Sequence, residues 1–308
     1  MPDDTDRLEA FDPRPGRPLW LGEGLRLVLA PNPSPMTERG TNSYLLGEGA
    51  VTVIDPGPDD KQHVTALLAA LAPGEHIARI LVSHAHLDHS PAARLLAQET
   101  GAPILAFGDA LAGRSPRMSR LAGQEIGGGE GVDARFRPDE ALPDGTELDI
   151  GGVALRALHT PGHFGNHLCF LWGERLFSGD MVMGWAPSLV SPPDGDLTDF
   201  MASLDRLEAL GPTRLHPGHG APVADGPARI RALRAHRQTR EAAIRHALDA
   251  GATDIDAIVQ QVYTDIDPRL TGGATRNVLA HLIDLQARGL VVFDGPPGLR
   301  ARVQPRQG

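Results

Sequence analysis

The chain has 308 residues, enough for one large domain with an appendage or for two medium domains. Hydrophobic residues are 41% and charged residues 22%, ordinary for a globular protein with a full core, so no metal is needed merely to keep it folded. No apolar run approaches the roughly 20 residues of a membrane span, and a single cysteine, Cys169, excludes an intramolecular disulfide and argues against a thiolate cluster.

The net charge of −10 is unevenly spread. Residues 1–227 carry 17 Lys+Arg against 31 Asp+Glu, a balance of −14. Residues 228–308 carry 12 Arg against 8 Asp+Glu, a balance of +4. Such a tail can meet phosphates, although a solvated helix face is the commoner explanation. Residues 1–18 are acidic and Pro-rich and lack the basic start and apolar stretch of a secretory signal. They read as a flexible arm on a cytoplasmic protein.

From Leu19 to Asp55 the pattern is strand, loop, strand, strand: GLRLVLAPN, SYLLGEG and AVTVIDPG are short β-type runs broken by Gly, Pro and Asn. Val64, Leu67, Leu68 and Leu71 share one face of a helix that stops at Pro73-Gly74. ARILVSH is a buried strand. Ser90 is expected to cap the helix AARLLAQET, with Pro91 in its first turn and Gly101 at its end. Residues 108–145 show little periodicity and contain GGGEG, a loop-rich excursion of the kind that often serves function. Four strand-like runs follow (ELDIG, VALRALH, HLCFLW, RLFSG), then a helix over 197–210 and a last strand in TRLHPGHG. Cys169 reads as a small core residue of its strand. Two packed sheets with outer helices fit this order, and so does a doubly wound parallel sheet. Beyond Pro227, three helices and a hairpin have the layout of a winged helix.

Eight of the 13 histidines fall in three segments, SHAHLDHS, HTPGHFGNH and HPGHG, each after a strand-like run. In an extended segment His84 and His86 point the same way, so their imidazoles can share one ion. Asp88 and His89 stand where the chain turns and can serve a second ion nearby. His163 follows the tight turn Pro161-Gly162, and His219 is flanked by glycines that allow close backbone approach. Asp180, after RLFSG, has two oxygens with which to bridge. Five His and two Asp exceed what a closed structural site needs and leave an open position, as catalytic sites do.

In this order, H-x-H-x-D-H at 84–89, T-P-G-H at 160–163, G-D at 179–180 and G-H at 218–219 resemble the metallo-β-lactamase superfamily. The resemblance implies a four-layered αββα sandwich. It divides the chain into the arm (1–18), a catalytic domain (19–227) and a winged-helix domain (228–308). It also implies two divalent ions, zinc first with iron or manganese compatible. His84, His86 and His163 would hold one ion, Asp88, His89 and His219 the other, with Asp180 between. Asp55 in VTVIDPG fits the family's early Asp, which supports the ligands from behind. Asp88 and His167 are the expected catalytic residues, His167 also being readable as a ligand's hydrogen-bond partner or as strand packing. Thr41 and Asn42 lie in a loop that the family places near substrate, and a simple polar turn explains them equally well. His159 and His216 are expected to be structural; His63, His76, His236, His246 and His281 to have no site role.

NPSPMTERGTNSYLLG at 32–47, IDPGP and the C-terminal module further resemble the β-lactamase-like protein 2 subgroup, whose mitochondrial member is an endoribonuclease preferring single-stranded RNA. Phe164, where many relatives have Thr, and the segments 108–131 and MVMGWAPSLVSPPDGD depart from the pattern and put the substrate in doubt. Two hydrolase readings result. In one, water activated between two ions attacks a phosphodiester such as single-stranded RNA. In the other it attacks an ester, thioester or lactone of a small metabolite, as in glyoxalase II. The acidic main domain weighs mildly against RNA. A winged-helix binding protein with a structural metal site is the non-enzyme alternative. The third helix, with only Arg276 and Arg288 as cations, suits a cleft wall or a homodimer contact better than a nucleic-acid groove.

Overall fold

The computed structural model describes residues 11–306 except 23 and 125. Residues 1–10 of the expected arm lie outside the described residues. Of its remainder, Phe11 packs against the core and Pro18 already opens the first strand.

Seven strands form the first sheet in chain order: β1 (Pro18–Gly22), β2 (Leu25–Leu29), β3 (Asn42–Leu46), β4 (Ala50–Ile54), β5 (His76–Leu81), β6 (Ile104–Ala106) and β7 (Glu140–Ala141). β1 to β4 are an antiparallel meander, whereas β4 to β7 run parallel. Helices α1 (Lys61–Ala69) and α2 (Ala92–Thr100) make two of the parallel crossovers, and α3 (Pro116–Ala122) lies in the excursion before β7. The second sheet has the order β12-β11-β10-β9-β8. Its members are β8 (Glu147–Ile150), β9 (Val153–His159), β10 (Leu168–Trp172), β11 (Arg175–Gly179) and β12 (Arg214–Pro217). β11 and β12 are parallel, joined through α4 (Leu197–Leu210). Two sheets with antiparallel meanders rule out the doubly wound alternative.

The period of two along each strand separates the layers. Val51 and Val53 of β4 meet Val64, Leu67 and Leu96 of the outer helices. Ile54 and Leu81 instead face Phe170 and Phe177 across the two sheets. Cys169, on the opposite face of β10 from Phe170, packs with Phe200 and Leu204 of α4. The result is the four-layered αββα sandwich. Truncating the fully buried Phe170 to Ala should cost about 3–5 kcal/mol.

Local signals set the helix ends with one correction. Asp60 Oδ1 accepts from the Gln62 and His63 amides and starts α1, and Gly101 closes α2 in the left-handed region at φ 74°. Ser90 does not cap α2: its hydroxyl lies 3.1 Å from His86 O and 2.9 Å from Asp133 Oδ2, which share its one proton, and Pro91 precedes the helix without a side-chain cap. That hydroxyl braces the ligand loop instead.

The C-terminal module comprises α5 (Gly226–Asp249), α6 (Ile255–Val262), a 3-10 turn (Pro268–Leu270), α7 (Thr271–Ala287) and the hairpin β13 (Val291–Asp294) with β14 (Arg302–Pro305). It is a winged helix whose third helix is packed against the sandwich. Arg276 of α7 donates to Ser191 Oγ, to Ile126 O and to Pro192 O, and Asn277 Oδ1 accepts from the Val190 amide. This face of α7 is therefore spent on the catalytic domain. Among the described residues no helix is long and apolar enough to cross a membrane.

Candidate metal centre

β4, β5, β9, β11 and β12 all end at one rim of the sandwich. The segments leaving them carry Asp55, His84 to His89, His163, Asp180 and His219. Backbone bonds tie these segments together: the Gly218 amide donates to Gly179 O, the Asn42 amide to Gly218 O, and the Leu87 amide to Gly131 O, each at 2.8 Å. Glycine is required where they cross. A Cβ on Gly218 would stand 2.6 Å from Asp180 Oδ1 and 2.7 Å from His89 Cε1, and one on Gly162 (φ 143°) would stand 2.3 Å from Phe200 Cα.

The seven expected ligands come together as two groups. Donor atoms of His84, His86, His163 and Asp180 lie within 4.8 Å of one another, as do those of Asp88, His89 and His219. His86 Nδ1 is 2.8 Å from His84 Nε2 and 3.1 Å from His163 Nε2. A tetrahedral zinc with bonds of about 2.0–2.1 Å keeps its donors about 3.3 Å apart, so these separations suit one ion. Asp180 Oδ2 sits between the groups, 3.7 Å from His163 Nε2 and 3.4 Å from His219 Nε2.

Neighbours behind the rings select the tautomers. Ser83 Oγ donates to Asp55 Oδ2, so at 2.9 Å from His84 Nδ1 it accepts that ring's proton. His163 Nδ1 donates to Leu189 O at 2.7 Å, His219 Nδ1 to Gly40 O at 3.1 Å, and His89 Nδ1 to Asp55 Oδ2 at 3.0 Å. Four rings are thus left with Nε2 lone pairs aimed at one another and at carboxylates. His89 Nε2 and His219 Nε2 face each other at 3.3 Å, and His219 Nε2 is 3.2 Å from Asp88 Oδ2. Buried Asp180 Oδ1 takes no hydrogen bond. Converging lone pairs and an orphaned buried carboxylate oxygen are what divalent cations would satisfy, so the residues fit two ions.

The protonation balance differs between the two groups, and the carboxylates of the second favour protons on His89 and His219 until an ion displaces them. Burial, reinforced by the adjacent imidazoles, pushes His84 well below the usual histidine range and His86 down to about 3. His219 is also buried, but Asp180 and Asp88 outweigh burial and push it up to about 9. Burial would raise Asp88, yet His89 and His219 hold it below the usual carboxylate range.

Asp55 stands where expected, behind the ligands. Its Oδ1 accepts from the Ser83 amide at 2.7 Å while Oδ2 holds Ser83 and His89. Its own φ is +51°, an uncommon conformation for a residue other than glycine. Three expectations are corrected. His167, expected to be catalytic, is fully buried: its Nε2 accepts from the Asp180 amide at 3.2 Å and its Nδ1 meets Thr160 Oγ1 at 3.0 Å. It positions Asp180 and faces no substrate space. Thr41 and Asn42, expected to bind substrate, are also buried. Asn42 Nδ2 donates to Pro217 O and Gly220 O and so holds the His219 loop, while the Thr41 amide donates to Asn32 Oδ1. Asp88 keeps a place consistent with a catalytic role, since it lines the open space beside the cluster. Phe164 packs edge-on against His86, ring centroids 4.8 Å apart, so this departure from the family pattern steadies a ligand.

Beside the cluster opens a cavity of about 830 Å³ between the sandwich and the winged helix. Its wall includes Met36, Leu87, Met183, Trp185, Tyr263 and Ile266. Leu87, Met36 and Trp185 are exposed by 51%, 48% and 39%, so apolar surface gathers at its mouth. Both segments that depart from the family pattern reach this wall, through Glu130 and Gly131 and through Met183 to Leu189. His236, Arg237 and Arg240 of α5 line it too. No motif pointed to these three; the only signal was the Arg-rich character of the helix.

The metallo-beta-lactamase superfamily model matches residues 36–219, and the beta-lactamase associated winged helix domain matches 255–298. The chain belongs to the metallo-β-lactamase superfamily and is a hydrolase of that class. It is 32% identical to a beta-lactamase-like protein 2 homolog of Caenorhabditis elegans, over 88% of this chain and 87% of the relative. It is 31% identical to the atrochrysone carboxyl ACP thioesterase of Aspergillus fumigatus, over 72% of this chain and 64% of that protein. A metallo-beta-lactamase family protein from Thermus thermophilus superposes with a TM-score of 0.73 at 28% identity, covering 93% of this chain and all of that one.

Proposed function

We propose that this hydrolase acts on acyl substrates, thioesters or esters of a small metabolite, with two zinc ions held by the seven clustered side chains. The apolar cavity opening directly beside the ligand cluster carries the reading. Its size lies in the range of about 300–1,000 Å³ usual for small-molecule sites. Met36, Leu87, Met183 and Trp185 offer surface for an acyl chain and little for a polynucleotide backbone. Similarity to a protein named as a thioesterase supports the same chemistry.

Two divalent ions, when bound, make water nucleophilic near neutral pH and stabilise negative charge developing on a carbonyl oxygen. The chain's residues do the rest. The imidazoles, locked by Ser83, Leu189, Gly40 and Asp55, hold fixed directions, so little reorganisation is needed during reaction. Water adds to the carbonyl carbon, the C–S or C–O bond breaks, and an acid and a thiol or alcohol leave. Asp88 lines the cavity and is a carboxylate in the resting site. It is placed to take the proton of the attacking water and pass it to the departing sulfur or oxygen.

The phosphodiester reading has one feature of its own, the arginines of α5 in the cavity wall. Metal-loaded protein should be offered single-stranded RNA alongside a panel of thioesters, esters and lactones. Turnover of an ester or thioester, lost on chelation, with RNA intact is the expected result. Cleaved RNA with every acyl substrate untouched would overturn it.

A further inference from the structure

The cavity wall contributed by α5 carries positive charge that the chain does not neutralise. Arg237 is only 3% exposed, yet it lines the cavity. Its guanidinium donates to Asn277 Oδ1 at 3.0 Å and to Ser188 O, lies over the Phe200 ring at 5.0 Å, and leaves Nε without a partner. Arg240, one turn further along, donates to Val262 O at 2.8 Å and lies 4.5 Å over the Tyr263 ring. Asp88, Glu130, Asp180 and Asp265 also line the cavity. Among the described residues, however, neither arginine has a carboxylate within 4.0 Å, although at least eleven other arginines form such pairs. A buried guanidinium without a counter-ion is costly, and a chain of net charge −10 has carboxylates to spare. His236 lines the same wall and is held below the usual histidine range, first by burial and then by Arg237, Arg240 and Arg229, so it supplies no compensating charge.

This wall is also joined to the metal centre. Ser188 O accepts from Arg237, and the next carbonyl, Leu189 O, accepts from the His163 imidazole. One short segment therefore spans from a ligand of the cluster to the arginine pair.

We propose that Arg237 and Arg240 form an anion subsite that reads a carboxylate or phosphate borne by the substrate away from its scissile bond. The substrate then has three parts: a reacting group at the clustered histidines, an apolar body against Met36, Leu87 and Trp185, and an oxyanion at α5. Arg240, the less buried of the pair and held over Tyr263, is the residue that selects it. The inference rests on the acyl-hydrolase reading for the reacting group alone.

The test is an equilibrium titration of the metal-loaded protein with glutarate, with phenyl phosphate and with neutral dimethyl glutarate. Arg240→Gln should weaken anion binding by about 10- to 100-fold, the weight of a charge-assisted hydrogen bond, and leave the neutral diester unchanged. Arg240→Lys should fall between. Thr264→Asp, on the exposed loop lining the cavity, adds repulsion without touching either arginine and should weaken the anions as well. The stronger of glutarate and phenyl phosphate identifies the oxyanion. With a nitrophenyl monoester of glutarate, Arg240→Gln should raise KM by a similar factor at nearly unchanged kcat, while nitrophenyl butyrate is unaffected. Equal anion affinity in wild type, Arg240→Gln and Thr264→Asp at full metal content would place the anions on the ions alone and overturn the subsite. Arg240-dependent anion binding with no ester turnover in the wild type would instead leave the subsite standing and remove the acyl-hydrolase reading.

Discussion

His84, His86 and His163 share one carboxylate, Asp180, whereas His89 and His219 stand among Asp88, Asp180 and Asp55. The two halves therefore respond differently to the same burial. In the imidazole-rich half, desolvation outweighs the pull of Asp180 and Asp88 and a proton is a poor substitute for a metal, as the fall of His86 to about 3 indicates. In the carboxylate-rich half a proton is a tolerable substitute, and His219 is pushed up to about 9. The first half thus exposes its need for a cation, while the second can hide it. Ion binding to the second half must displace protons, so its affinity should depend more steeply on pH.

The largest effect that would break this comparison is loss of one half alone. His84→Ala should reduce turnover of any accepted substrate to background and lower bound metal from two ions per chain to one. Elemental analysis beside the rate measurement checks this, and a variant that kept both ions would refute the assignment of His84. Next in size is removal of all metal. An ion present at about 1,000 times its Kd stabilises the fold by about 4 kcal/mol per site, so chelation should lower the denaturant midpoint by a corresponding amount. An unchanged midpoint would mean that neither half binds an ion in the native fold. A smaller effect should fall mainly on the carboxylate-rich half, because Asp55 meets His89 directly but reaches His84 only through Ser83. Asp55→Asn removes the anion behind His89 Nδ1 and should weaken that half's ion by about 10- to 100-fold, the usual range for a ligand's hydrogen-bond partner. Metal titration by calorimetry would show it as one weakened step, and two equally weakened steps would contradict the division.

The ligands of both halves were legible for a simple reason. Their spacing, H-x-H-x-D-H, is local, and the remaining three lie just after strands, where side chains converge on one rim. Their neighbours were not legible, because the partners are distant main-chain atoms. Asn42 reads as a polar loop residue until the carbonyls of Pro217 and Gly220 are seen to be its acceptors. His167 stays open between a catalytic role, a ligand's hydrogen-bond partner and strand packing until the Asp180 amide occupies its Nε2 and selects the second. Ser90 fits a cap by sequence, but its hydroxyl is engaged by His86 O and Asp133, and α2 has no side-chain cap. Two-sheet layering and doubly wound layering share one element order, so the resemblance, not the periodicity, distinguished them. The cavity wall was hidden because a helix face reads as solvated until its packing partner is known, and α5 faces the sandwich.

The smallest prediction concerns how far the support of the carboxylate-rich half extends. Behind Asp55 lies Ser43, whose hydroxyl donates to Asp55 O at 2.6 Å and meets His63 Nε2 at 2.9 Å. With its own proton given to that carbonyl, Ser43 must accept from His63, which places a proton on His63 Nε2. Burial pushes His63 from 6.5 down to about 4, against a weaker opposing pull from Asp60. A base with a depressed folded pKa takes up protons on unfolding, so stability is full above the unfolded value and is lost as pH falls below it. The loss should amount to about 1 kcal/mol between pH 6.5 and 5.5 and keep growing toward pH 4. His63→Gln can still donate to Ser43 but does not titrate, so the metal-free variant should lack that portion of the acid slope. If denaturant midpoints of the two metal-free proteins stay parallel from pH 7 to 5, His63 is not held neutral, and the rigid support of this half ends at Asp55.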